Sequence, residues 1–114
     1  MIKVELVINS SNAVSSFTMA GHAGAAPHGE DIVCAAVSAI VYTTLGSLED
    51  LCGIKNYTIE DGFVEWHMPE GVSEDNKRTA TIILKTMIIG LKQIMYTPSY
   101  KKYISIVERG GALE

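Results

Sequence analysis

The sequence has little of what several classes of protein require. It contains two cysteines, and its nine Lys and Arg stand against 13 Asp and Glu, which gives a net charge of −4. Two cysteines exclude a disulfide framework and a zinc site of closely spaced thiols, and they are typical of a protein of the reducing cytoplasm. The shortage of basic residues argues against direct binding of nucleic acid, because non-specific affinity for nucleic acid depends on clustered Lys and Arg.

No hydrophobic run is long enough to predict a membrane span. The longest run, residues 32–45, is interrupted by Ser38, Thr43 and Thr44. It is also shorter than the ~20 residues that a bilayer requires, so we interpret it as a buried helix and expect no membrane contact. The N-terminus leads directly into an alternating pattern and lacks the regions of a signal peptide, which again predicts a cytoplasmic location.

The length and apolar content fit one compact domain. The chain has 114 residues, of which 47% are apolar. This fraction is too high for a disordered chain and generous for a small domain that fills only its own core. Some of this apolar surface can be buried against a second copy. Leu113 and Glu114 could be a cloning scar, and we therefore assign a single domain to residues 1–112.

Five segments have the period-two alternation and β-forming residues that are typical of strands. Asp61-Gly62 lies between two of these segments and suits a two-residue hairpin turn, because both residues tolerate positive φ. A hairpin with that turn places Tyr57 opposite Trp66. The predicted strands are residues 2–8, 14–21, 57–60, 63–68 and 103–108.

Two segments have helical periodicity. The first begins after Asp31, which stands at the N-cap position, and ends near Gly46 or Gly53; the second begins after Ser73 and is closed by Pro98. The resulting order of elements is ββαββαβ. It predicts an α+β fold, a two-layer sandwich with both helices on one face of a mixed sheet.

The candidate catalytic residues lie between residues 21 and 38. His22 closes a predicted strand, a glycine-containing loop follows, and Cys34 lies in the first turn of a helix. Cysteine nucleophiles react as thiolates, which the N–H groups and dipole of a helix N-terminus favour. A histidine within reach can take the thiol proton and pass it to a leaving amine, and N–H groups near the thiol can hold an oxyanion. Cys34 and His22 are therefore candidates for the nucleophile and the general base.

The pattern alone leaves three other interpretations open. His22 and Cys34 can simply be packed side chains, as Cys52 is predicted to be. His22, His28 and Cys34 are evenly spaced and can be metal ligands, although no fourth ligand is evident. Cys34 can also be a redox-sensing thiol, although no resolving cysteine lies close to it in sequence.

The two half-motifs resemble the signature of a known family. Gly21-His22 and, after the loop, Asp31-Ile32-Val33-Cys34-Ala35-Ala36-Val37-Ser38 look like the signature of the ribosomal-processing cysteine proteases of Gram-positive bacteria, the Prp family. The length, the order of elements and the acidic start of the second helix are also similar.

The resemblance implies a homodimeric cytoplasmic endopeptidase that removes a short N-terminal extension from a protein of the large ribosomal subunit. It implies that Cys34 is the nucleophile and His22 the general base, and that Gly21, Asp31 and Ser38 have supporting roles. Cleavage beside aromatic residues, as in the family, requires an apolar pocket near Cys34. We expect no cofactor and no metal. The alternative is a ribosome-associated binding module without catalysis.

Overall fold

The computed structural model describes residues 1–22 and 31–110. The predicted order ββαββαβ is confirmed. The segment 23–30, predicted to be a loop that closes over a bound peptide, lies outside the described residues, and so does His28. The elements are β1 (Ile2–Ile8), β2 (Val14–Ala20), α1 (Ile32–Cys52), β3 (Tyr57–Glu60), β4 (Phe63–His67), α2 (Glu74–Met95), a 3-10 turn at Lys101–Tyr103 and β5 (Ile104–Gly110).

The strands form one five-stranded mixed sheet in the order β3-β4-β2-β1-β5. β5 runs parallel to β1, and the other neighbouring strands are antiparallel. β2 is therefore flanked by β1 and β4, which brings the β3–β4 hairpin beside the end of β2. This strand order matters for the site, because His22 follows β2.

One face of the sheet is buried. Rows of apolar side chains cross it from strand to strand, and Phe17 stacks on Trp66 with ring centroids 5.8 Å apart. Trp66 is fully buried, so it is a core residue. The buried sheet residues are Ile2, Val4, Leu6, Val14, Phe17, Met19, Val64, Trp66 and Ile104.

Both helices cover that face, as predicted. They also pack against each other, and at Gly90 of α2 they approach so closely that an added Cβ would lie 3.2 Å from the Cδ1 of Ile40 in α1. The buried stripe of α1 is Val33, Val37, Val41, Thr44, Leu45, Leu48 and Cys52, and that of α2 is Ala80, Leu84, Met87 and Leu91.

By composition alone, α1 could be a membrane span or the core helix of a soluble protein. Its 21 residues are long and apolar enough to cross a membrane, a test that core helices of soluble proteins also pass. In this fold one stripe of the helix is buried in the core. The expectation of no membrane contact therefore stays a prediction.

The ends of the elements agree closely with the sequence signals. α1 ends at Cys52 and is capped by Gly53, which takes the left-handed conformation with φ of 67°, whereas Gly46 continues the helix. The β3–β4 hairpin has the predicted register, with Tyr57 opposite Trp66, but only Gly62 of its turn takes a positive φ. β5 begins one residue later than predicted, because Tyr103 belongs to the 3-10 turn.

Candidate active site

Gly21 determines how the chain leaves β2. Its φ of 93° is in the left-handed region, and an added Cβ would lie 2.5 Å from the carbonyl oxygen of Met1, so only glycine fits without a backbone shift. Its N–H donates a hydrogen bond to the carbonyl of Gly62, with N and O 2.8 Å apart. Gly21 therefore joins the end of β2 to the β3–β4 turn, and its supporting role in the reaction stays a prediction.

Asp31 determines where α1 begins. It has an extended backbone, and its Oδ1 accepts a hydrogen bond from the N–H of Cys34 at 2.9 Å, which is the geometry of an N-cap. The cap places Cys34 in the first turn, as predicted. It also occupies the N–H of Cys34, so that group can hold an oxyanion only if the Asp31 carboxylate releases it.

His22 and Cys34 meet at this helix end. The Nδ1 atom of His22 lies 4.0 Å from the Sγ atom of Cys34. That distance is at the long end for a hydrogen bond to sulfur, and catalytic contacts are commonly loose before substrate binds. The His22 side chain is 48% exposed and Cys34 is partly exposed, so a peptide can reach both.

The other ring nitrogen of His22 faces the β3–β4 turn. The Nε2 atom lies 4.0 Å from Oδ1 of Asp61, whose side chain is 91% exposed. Gly62 is still closer to the ring, because a Cβ added there would lie 2.9 Å from Nε2. Sequence patterns identified this turn as a hairpin but gave no sign that it borders the site.

A pocket of about 160 Å³ opens beside the His22 and Cys34 pair. Cys34, Ser38 and Tyr42 line one wall at intervals of four residues, which is one helical turn each. The i+4 spacing from Cys34 was the signal that could have identified Tyr42. The remaining lining residues are Ile2, Met19, Gly21, His22, Glu60, Asp61, Gly62, Phe63 and Val64.

The second cysteine belongs to the core. Cys52 lies in the last turn of α1 with 5% of its surface exposed. Burial raises the pKa of the Cys52 thiol, which favours its unreactive protonated form. The interpretation of Cys52 as a packed thiol is confirmed.

Metal ligation receives no support from the part of the chain that is described. Across residues 1–22 and 31–110, no group of three His, Cys, Asp or Glu side chains could hold a metal ion. A site that also uses His28 stays a hypothesis, because His28 is not among these residues. The third histidine, His67, lies next to an amide: its Nε2 atom is 2.7 Å from Nδ2 of Asn56.

Comparison with known proteins agrees with this geometry. Residues 1–105 match the family model described as cysteine protease Prp. The ribosomal processing cysteine protease Prp of Bacillus subtilis (strain 168) is 29% identical over 97 residues, which cover 82% of this chain and 87% of that protein. The protein of the same name from Staphylococcus aureus (strain Mu50) is 30% identical over 95 residues, which cover 82% and 88%.

Solved structures show the same fold. A ribosomal processing protease Prp from S. aureus, crystallised with a covalently linked product peptide, superimposes with a TM-score of 0.79 at 26% identity and covers 96% of this chain and 100% of that one. A second crystal structure, SMU.848 from Streptococcus mutans, has a TM-score of 0.78 at 18% identity over 96% and 98% of the two chains, and it shows the fold alone. From its sequence match over residues 1–105, the chain belongs to the Prp family of cysteine proteases.

Proposed function

We propose that this protease removes the N-terminal extension of a large-subunit ribosomal protein, with Cys34 as nucleophile and His22 as general base and acid. The observation that carries the proposal is the 4.0 Å approach of His22 Nδ1 to Cys34 Sγ at the edge of a pocket. The processing role is supported by the relatives from B. subtilis and S. aureus, which are both named ribosomal processing cysteine proteases.

The chemistry begins with transfer of the Cys34 thiol proton to Nδ1 of His22. The resulting thiolate attacks the carbonyl carbon of the scissile peptide bond, and the carbonyl oxygen becomes an oxyanion. When this intermediate collapses, the carbon–nitrogen bond breaks and the imidazolium gives its proton to the leaving amine. The N-terminal fragment is then a thioester on Cys34.

Hydrolysis of the thioester completes the cycle. His22, now neutral, takes a proton from water, and the hydroxide oxygen attacks the thioester carbonyl. The carbon–sulfur bond breaks, the carboxylic acid leaves, and the proton on Nδ1 restores the Cys34 thiol. Every step uses side chains of the chain and water, so the proposed reaction requires no cofactor.

The pocket supplies the contacts that substrate recognition requires. Its walls include Phe63 and Tyr42, which offer aromatic surface to an apolar substrate side chain. Glu60 and Asp61 lie at the same opening, and the whole chain has a net charge of −4. A basic ribosomal protein is therefore the partner that charge complementarity favours, because opposite charge speeds the encounter.

The setting of the reaction is also part of the proposal. We place the protease in the cytoplasm, where its two cysteines stay reduced, as a homodimer that contacts neither nucleic acid nor membrane directly. Exposed apolar side chains on α1 outside the pocket, Ile32 and Leu51, support self-association. Analytical ultracentrifugation should give twice the monomer mass of 12.3 kDa.

The experiment is a cleavage assay with intact-mass detection. The purified protein is incubated with a large-subunit ribosomal protein that carries its N-terminal extension, and one defined cut should appear. Cys34→Ser should slow that cut at least ~10³-fold, His22→Ala ~10²- to 10⁴-fold, and the double variant no more than the worse single variant. Cys52→Ala and His28→Ala should keep most activity.

Folding must be separated from chemistry in this assay. Cys34 and His22 are at the protein surface, so neither substitution opens a core cavity and both variants should melt close to the parent. Tight binding of the substrate without any cut by the parent would instead support the non-catalytic binding module. Loss of activity in His28→Ala equal to that in His22→Ala would support the metal hypothesis.

A further inference from the structure

Three features place His22 beside the turn between β3 and β4. The N–H of Gly21 donates to the carbonyl of Gly62 at 2.8 Å, which holds the chain on one side of His22 against the turn. Gly62 leaves room for the imidazole, since an added Cβ there would be 2.9 Å from Nε2. Oδ1 of Asp61 lies 4.0 Å from the same Nε2. The turn therefore contacts the backbone beside His22 as well as the ring edge that faces away from Cys34.

We propose that Asp61 is a positioning residue for the reaction and that its carboxylate orients His22 and stabilises the imidazolium form. This inference extends the proposed function, because it assumes that His22 is the general base. An N–H on Nε2 that points to the Asp61 carboxylate corresponds to the tautomer in which Nδ1 carries no hydrogen, and this nitrogen can then accept the proton of the Cys34 thiol. After that transfer, both ring nitrogens carry hydrogens and each faces a negative charge.

The exposure of Asp61 predicts a moderate contribution in the free protein. Its side chain is 91% exposed, so water screens the attraction across 4.0 Å. A peptide lying over the pocket displaces some of that water and strengthens the attraction. The effect of Asp61 should consequently be greater on kcat than on KM.

The other titratable groups near His22 contact different atoms or line the pocket. In the described part of the chain, Cys34 faces Nδ1, Asp31 accepts a hydrogen bond from the Cys34 backbone, and Glu60 and Tyr42 line the pocket. The Asp61 carboxylate lies at an ion-pair distance from the ring. Substitution of Asp61 leaves Glu60 unchanged at the same opening, so the variant measures the effect of the Asp61 carboxylate.

The experiment compares Asp61→Asn with the matched control Glu65→Gln. Both changes remove one carboxylate from the same hairpin, but Glu65 is exposed on β4 and pairs with Thr18 and Thr58. Asparagine is suited to turns, so Asp61→Asn should fold and melt like the control. We expect kcat for the ribosomal substrate to fall at least about threefold in Asp61→Asn, with KM nearly unchanged, and to stay at the parent level in Glu65→Gln.

The pH profile of kcat/KM provides a readout that a purely structural role would not change. Removal of the Asp61 charge makes the imidazolium easier to deprotonate, so neutral His22 persists to lower pH and the acid limb should move to lower pH. An exposed ion pair changes an equilibrium about 1.5- to 5-fold, which corresponds to a shift of about 0.2 to 0.7 pH unit. Asp61→Glu, which keeps the carboxylate, should return the limb toward its parent position.

Two results would overturn the inference. An acid limb of Asp61→Asn that coincides with that of the parent would show that the carboxylate does not stabilise the imidazolium. Equal kcat in Asp61→Asn and Glu65→Gln would show that it does not position the ring. Failure of the proposed function is distinguishable from either result, because in that case His22→Ala itself would cleave at the parent rate.

Discussion

Gly62→Ala should damage catalysis more than folding. Gly62 has φ of +70°, and an added Cβ would lie 2.9 Å from Nε2 of His22. Gly71 provides a matched control, since it has φ of +81° and nothing lies within 4 Å of an added Cβ. Both alanines take the same unfavourable backbone conformation, but only the alanine at residue 62 meets the imidazole.

The expected magnitudes follow from what must move. A non-glycine residue in the left-handed region costs ~1–2 kcal/mol, so both variants should lose about that much free energy of unfolding. Carbon and nitrogen at 2.9 Å are closer than the ~3.5 Å of an ordinary contact, and the His22 ring must shift by about half an ångström. Because the ring is partly exposed, this shift costs little stability. A misplacement of ~1 Å can lower a rate ~10²-fold, so we expect a loss of about 10-fold in kcat/KM for Gly62→Ala.

The assay measures stability and cleavage on the same samples. Urea unfolding should give similar losses for Gly62→Ala and Gly71→Ala, and cleavage of the ribosomal substrate should separate them by about 10-fold. Equal cleavage rates in the two variants would refute the reasoning, because the β3–β4 turn would then have no influence on His22. A much larger stability loss in Gly62→Ala would show that the ring cannot move aside.

Two further predictions concern the two ends of α1. Limited alkylation with iodoacetamide at neutral pH should label Cys34 well before Cys52, because Cys52 is 5% exposed and burial raises the pKa of its thiol; faster labelling of Cys52 in peptide maps would contradict this. Asp31→Ala should lose ~1 kcal/mol of stability through the N-cap and also slow cleavage, whereas Ser73→Ala should lose a similar amount at the cap of α2 and keep its cleavage rate. Unchanged cleavage in Asp31→Ala would show that the cap does not position Cys34.

Most of the fold follows from local signals in the sequence. The caps at Asp31 and Ser73 and the glycine at residue 53 are visible as residue types beside a periodic apolar stripe, and the helices begin and end there. The Asp61-Gly62 turn likewise determines the hairpin register. These features are predictable because they depend on neighbours within a few residues along the chain.

The site is only partly predictable, because it depends on strand order. The motif predicts Cys34 and His22, and the structure brings them together. Asp61 enters the site because β4 pairs with β2, a contact between segments more than 40 residues apart that no local pattern indicates. The choice of Gly53 over Gly46 as the end of α1 has a similar origin, since Gly46 is exposed within a helix that the core stripe continues past it.

The most direct test of the account is to trap the covalent intermediate. The protein is mixed with the extended ribosomal protein, quenched in acid within milliseconds to seconds, and analysed by intact mass and peptide mapping. The account predicts a thioester-linked N-terminal fragment on Cys34, absent from Cys34→Ser and strongly reduced in His22→Ala. A fragment attached to another residue, or normal cleavage by Cys34→Ser, would contradict the central claim that Cys34, activated by His22, is the nucleophile.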